Sequence, residues 1–316
     1  MSTAQRIVVV GGSGFIGRHL VARLANAGHL VTVTSRNPSG HGDLRLLPGL
    51  RLLQVDPHDP AALAAAFAGA DAVVNLVGIL NERGFGGKGF RRAHVELTER
   101  VIAACATAGV ADLVQMSALR AGEGDSHYLR TRGEAEALVR ASALRWRIVR
   151  PSVVFGPGDG LFNRFAGLLR LLPALPIARP GARFAPVYVG DVVEAMVRCL
   201  ERPDTAGGTF ELYGARIMTL REIVAYTARH LGLRRWVIGL PDPLGRVQAL
   251  VGDLLPGKPI SSDNFRSLKL DSVGSRDGLA ALGIAPTPID AVVPQMLAGG
   301  RHQARLDQYR QHARRR

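Results

Sequence analysis

The chain has 316 residues, 47% hydrophobic, 21% charged and 5% aromatic, enough apolar material for one large core and too much for a disordered protein. Two cysteines, Cys105 and Cys199, build neither a disulfide framework nor a cysteine metal site. A formal charge of +14 favours acidic partners (nucleic acid, anionic lipid or a phosphate-bearing ligand) without choosing among them.

Ile7 to Val10 is a continuous apolar run, too near the start to leave room for a signal peptide. No apolar run reaches the ~18 residues of a membrane span. The reading is a soluble, cytoplasmic protein. Ile16, Leu20, Leu24 and Ala27 then recur at helical spacing until Gly28. Strands are expected over 30–34, 50–55, 70–77, 113–116 and 146–149, and helices over 61–67, 95–108 and 128–144. Strands separated by helices imply right-handed crossovers, hence an α/β fold with a doubly wound parallel sheet.

After Pro151 glycine and proline become frequent. Helices are expected over 161–172 and 220–231, strands over 184–189, 209–213 and 237–240, and Asp191 is read as the N-cap of a helix running to Leu200. The spacing of Leu244, Val247, Leu250, Val251 and Leu254 is amphipathic and reads as a core-facing helix; the alternative is a helix lying on a membrane or a partner. Residues 1–152 are assigned to a Rossmann nucleotide-binding domain and 153–300 to a smaller α/β subdomain on the substrate side. The stretch 301–316 is a basic tail, with six Arg against one acid. That tail reads as a solvated end, with docking to anionic lipid or an acidic protein as the alternative. His19 and His94 have no partner cluster for a metal, and no motif interleaves aromatic and basic residues as nucleic-acid binding requires.

The most informative stretch is Val8-Val9-Val10-Gly11-Gly12-Ser13-Gly14-Phe15-Ile16-Gly17. Gly11 permits a tight turn after the first strand, Gly14 admits a diphosphate to backbone N–H groups, and Gly17 allows close packing of helix on strand. The helix N-terminus then offers unpaired donors and its positive dipole end to an anion. A site for an unphosphorylated ribose usually places a carboxylate after the second strand. This chain instead ends that strand in Ser35 and Arg36 and has no Asp or Glu before Asp43. A guanidinium forks onto a 2′-phosphate, so NADP(H) is favoured over NAD(H).

The spacing Gly-x-x-Gly-x-x-Gly resembles the short-chain dehydrogenase/reductase superfamily in its extended and atypical branches. Asn75-Leu76-Val77-Gly78 resembles the family's turn beside the cofactor, Asp56 its acid near the adenine, and Arg150-Pro151 through Gly156-Pro157 its lead into the substrate side. The resemblance implies a Tyr-x-x-x-Lys pair, with the cation holding the nicotinamide ribose and lowering the tyrosine pKa, and a serine at the preceding strand end. Here these positions hold Tyr128, Arg132 and Ser117. Arginine keeps the charge but does not give up a proton, so either activity survives or the protein only holds its nucleotide.

Tyr128 through Glu136, Arg183 through Val192, Leu254 through Pro259 and the 279–297 region resemble one atypical branch. It contains the nucleotide-binding accessory subunit of respiratory complex I and its bacterial relatives. That resemblance implies a tightly held NADPH in a structural or assembly role, a complex I or quinone-linked partner, and a place at the inner face of the membrane. An active NADP-dependent oxidoreductase or epimerase using Tyr128 is the alternative.

Overall fold

The computed structural model describes residues 4–298 apart from 256, 257 and 259. The first half runs β1 (Arg6–Val10), α1 (Phe15–Asn26), β2 (Leu30–Ser35), β3 (Leu50–Gln54), α2 (Pro60–Phe67), β4 (Ala72–Asn75), α3 (Lys88–Arg91), α4 (Leu97–Ala108), β5 (Asp112–Met116), α5 (His127–Ala141) and β6 (Arg145–Pro151). The second half runs β7 (Val154–Phe155), α6 (Phe162–Leu171), β8 (Ala174–Ala178), β9 (Arg183–Phe184), β10 (Val187–Tyr188), α7 (Val189–Glu201), β11 (Thr209–Leu212), β12 (Met218–Thr219), α8 (Leu220–His230), β13 (Trp236–Leu240), α9 (Asp242–Leu254), α10 (Ser262–Ser267) and α11 (Gly278–Ala281). A last helix spans 289–298.

Among the described residues, seven strands form one parallel sheet in the order β11-β6-β5-β4-β1-β2-β3. The central strands are apolar on both faces, as a sheet covered by helices on each side requires. On one face α1 and α7 pack Leu20, Leu24, Val192 and Met196 against Val9, Val33 and Val74. On the other, α2 and α4 pack Leu63, Phe67, Leu97 and Val101 against Val8, Val10 and Val73. A separate core joins α6, α8 and the last helix through Phe162, Leu169, Ile223, Val224 and Val293.

The strand order reverses between β1 and β4, and the loops after these two strands open at the carboxyl edge of the sheet, where ligands of doubly wound folds sit. Strand β11 belongs to the second half of the chain, so the parts before and after residue 152 interleave in one sheet.

Several expectations are corrected. The helix expected from residue 95 is preceded by α3 and a π-helical turn over Arg92–Glu96, which bring in Phe90 and His94. The strand expected over 184–189 is two short strands divided at Ala185-Pro186. Strand β8, with Pro176 in the middle, went unread; it pairs with β13 at the rim, where a proline is tolerated. Asp191 is not an N-cap. Tyr188 holds that position without a side-chain cap, and Asp191, one turn in, accepts from the N–H and hydroxyl of Thr287 at 2.7 Å each. Helix α9 does not present its leucine stripe to the core: Leu244, Val247, Leu250, Val251 and Leu254 are exposed, and Gly245, Ala249 and Gly252 face inward. The basic tail 301–316 and part of the Leu254–Pro259 segment lie outside the described residues.

Candidate dinucleotide site

The glycine loop joins β1 to α1. Gly11 has φ +84°, a left-handed conformation that costs glycine nothing. A Cβ on Gly17 would lie 2.6 Å from both the Gly11 oxygen and the Gly12 Cα, so only glycine lets α1 pack this closely on the loop. Gly14 is the N-cap of α1 and supplies no side-chain acceptor. The first turn also lacks an acid, so its donors are left for an anion. Ser13 and Phe15 flank the loop: the Ser13 carbonyl accepts from Arg18 Nε at 3.1 Å, and Phe15 stacks edge-on against His19, which bonds the Pro157 carbonyl at 3.0 Å. Ile16 packs into the core beneath the loop.

At the end of β2, Ser35 is buried and its hydroxyl accepts from the Asn37 N–H at 3.3 Å. Arg36 is exposed and makes no hydrogen bond or ion pair among the described residues. Arg18, on the first turn of α1, was not singled out from sequence, yet it forms an ion pair with Asp43 and lies 3.0 Å from His41 Nδ1. The guanidinium of Arg18 holds the Asp43 carboxyl below its usual range, mainly by hydrogen bonding. The first acid after the glycine loop is therefore occupied by a cation. Asp56, just past β3, is exposed and accepts from the His58 N–H at 2.9 Å.

The turn after β4 is fixed from below. Buried Asn75 donates to Gln115 at 3.0 Å and accepts from the Val77 N–H at 3.2 Å. The Val77 side chain lies against Gly11, where a Cβ would meet it at 3.1 Å. Gly78 lies under the Arg132 guanidinium, which leaves no room for a Cβ.

Arg132 is 5% exposed. Its Nη1 donates to the Met116 carbonyl at 2.9 Å and the Val77 carbonyl at 3.3 Å, bridging the ends of β5 and β4. Its guanidinium carbon lies 5.6 Å from the centre of the Tyr128 ring, and its Nε is buried without an acceptor. Tyr128 is half-buried, with no hydrogen bond to its hydroxyl among the described residues. The chain thus brings the glycine loop, Val77, Gly78, Arg132 and Tyr128 into contact.

Ser117 is placed differently. Its hydroxyl donates to Glu136 at 2.5 Å. Glu136 is fully buried and also accepts from Arg150 at 2.7 and 2.5 Å and from Arg140 at 2.7 Å. A hydroxyl engaged in this network holds α5 against β6, a role the strand-end position alone did not reveal.

His94 was set aside as a metal ligand, and its actual work was missed. The Ile79 N–H donates to its Nε2 at 3.2 Å, and Nδ1 bonds the Thr131 hydroxyl at 2.8 Å. Burial and the nearby Arg132 charge push its pKa down to about 2. It is a neutral imidazole that fixes the turn after Gly78 and packs edge-on against Tyr128, 5.5 Å between ring centres. Its spacing from Thr131 crosses two helices, so no local pattern announces it.

Residues 11–160 match the NAD(P)H-binding family. Subunit 9 of the NADH dehydrogenase [ubiquinone] 1 alpha subcomplex is 30% identical in Arabidopsis thaliana, covering 86% of this chain and 71% of that protein. The Mus musculus subunit is 31% identical, covering 89% and 77%. The chain belongs to the complex I accessory-subunit branch of the short-chain dehydrogenase/reductases. A ceramide reductase of Caulobacter vibrioides is 32% identical, covering 77% of this chain and 76% of that enzyme. Solved structures share the superfamily fold across the chain: MoeE5 in complex with UDP-glucose and NAD superposes with a TM-score of 0.75 at 21% identity, covering 95% and 99% of the two chains. DesIV, a dTDP-glucose 4,6-dehydratase of Streptomyces venezuelae, also gives 0.75, at 20% identity, covering 93% and 96%. Within this superfamily, Arg132 stands where the Tyr-x-x-x-Lys pattern has lysine.

Proposed function

We propose that this protein holds NADP(H) in a structural or assembly role linked to respiratory complex I or quinone metabolism, at the inner face of the membrane. The carrying observation is Arg132. Two of its donor contacts are spent on the carbonyl ends of β4 and β5, and its buried Nε lacks an acceptor among the described residues. The guanidinium does not release a proton near neutral pH, so the relay a lysine would give to Tyr128 is missing. When bound, the nicotinamide supplies hydride chemistry; these residues favour gripping its ribose.

Gly14 and the start of α1 would receive the diphosphate, with Gly11 and Gly17 shaping the turn that exposes them. Val77 and Gly78 would receive the nicotinamide side, and Asp56 would lie near the adenine. Arg36 and Arg18 supply cations for a 2′-phosphate, with Ser35 beneath them. The complex I subunits among its relatives support the proposed partner.

Mass spectrometry of the ligand released from the denatured protein tests this reading. NADP(H) that no carbonyl or quinone consumes is the expected result; NAD(H), or no nucleotide, overturns it. A second reading has its own support in the Tyr128 ring beside a cation, with its hydroxyl unbonded among the described residues, and in a relative named for reductase activity. Turnover that is lost in Tyr128→Phe would establish an NADP-dependent reductase or epimerase in place of a holding protein.

A further inference from the structure

Helix α9 is built inside out. Its inward face is Gly245, Ala249 and Gly252, and its outward face carries Leu244, Val247, Leu250, Val251 and Leu254, between 52% and 78% exposed. The glycines fix this rotation. A Cβ on Gly245 would lie 2.9 Å from the Phe265 ring and 3.0 Å from the Ala178 Cβ, and one on Gly252 would collide with the Ile260 carbonyl. Turning the leucines inward would bring larger side chains into the same space, so exposure of the stripe follows from the packing. Contiguous exposed apolar surface on a soluble protein marks a docking face.

The charges around the stripe say what docks. The acids of α9 are occupied within the chain: Asp242 pairs with Arg179 at 2.6 Å, and Asp253 with Lys258 at 3.6 Å and the Ser262 N–H at 3.1 Å. Arg246, between Leu244 and Val247, is exposed and has no hydrogen bond or ion pair among the described residues. With Arg266 and Lys269, the latter paired with the exposed Asp125 at 2.7 Å, it lines an open cavity of about 290 Å³ beside Leu250. A cationic pocket at the edge of an apolar stripe matches a phosphate headgroup whose acyl chains lie beyond it. Trp236, on the rim strand β13 that precedes α9, is 77% exposed, the residue type favoured at a membrane–water boundary.

We propose that α9 lies on an anionic phospholipid surface, with Leu244, Val247, Leu250, Val251 and Leu254 among the acyl chains and Arg246 and Arg266 at the headgroups. No nucleotide is required. The test is flotation of the full-length protein with phosphatidylcholine vesicles, with and without phosphatidylglycerol, at physiological salt. Binding is expected only with the anionic lipid. Leu250→Glu should weaken it about tenfold and Arg246→Gln about fivefold. Leu46→Glu, an equal charge change at another exposed leucine, should leave it nearly unchanged. Trp236 emission should shift to the blue on binding. Equal losses in Leu250→Glu and Leu46→Glu would reduce the effect to net charge and overturn the proposal. So would equal binding to neutral vesicles, or a dimer dissolved by Leu250→Glu with no vesicle binding at all.

Discussion

Arg36, just past β2, and Arg18, on the first turn of α1, are in different conditions. Arg36 is unpartnered among the described residues, whereas Arg18 is already engaged by Asp43 and lies near His41. A guanidinium that meets a phosphate makes charge-assisted hydrogen bonds, weakened by exposure. Calorimetry at low salt should therefore show Arg36→Ala weakening NADPH about tenfold with little change for NADH. Asp43→Asn should act the other way, because it frees Arg18 for the phosphate. If Asp43→Asn weakens NADPH, Arg18 does not take part. His94 gives a prediction in pH. Its folded pKa of about 2 lies below the ordinary 6.5, so the unfolded chain binds a proton that the folded chain refuses. Its share of stability is complete above about pH 6.5 and falls as the solution is acidified, by up to roughly 1.4 kcal/mol per pH unit. Denaturant melts between pH 7.5 and 5 should show that slope, and His94→Gln should flatten it. An unchanged slope would mean that His94 takes up its proton alike in the folded and unfolded chain.

Strand β1, the glycine loop and α1 were legible because their determinants are local. The turn demands Gly11, the packing demands Gly17, and the apolar period stops at Gly28. Gly17→Ala tests that locality: a Cβ 2.6 Å from two backbone atoms has nothing flexible to displace. Nucleotide binding should vanish and the melting temperature fall by several degrees, a loss of roughly 1–3 kcal/mol. Wild-type affinity in this variant would contradict the packing. Helix α9 was misread for the opposite reason. Its period is plain, but which face turns inward is set by Phe265, Ala178 and Ile260, which lie elsewhere in the chain. Period identifies a helix with two faces and does not say which one is covered. Ser117 and His94 share this blindness: the strand end was foreseen and the helix only from residue 95, and Glu136, Thr131 and the Ile79 N–H, which set what each side chain does, come from separate elements.

The fold closes only when the second half of the chain returns to the first. Strand β11 adds to β6, α7 covers the sheet beside α1, and α11 packs Leu279 and Leu282 beneath β11. Asp191 ties the start of α7 to Thr287. The core under β1, β4 and β5 thus draws Val192, Met196, Leu212 and Leu279 from beyond residue 152. A chain cut after residue 152 would expose these apolar contacts and the open edge of β6, a surface that seeks other strands. Expressed alone, residues 1–152 should be aggregated or lack a sharp calorimetric transition, while the full chain melts cooperatively. Asp191→Ala in the full chain should cost about 1–3 kcal/mol, because the Thr287 N–H loses its acceptor, without altering NADPH affinity. A monomeric 1–152 fragment melting near the full-length protein would show that the nucleotide half folds alone. The second half would then be an addition to a finished domain, and its strand and helices would have to be explained by what they offer a partner.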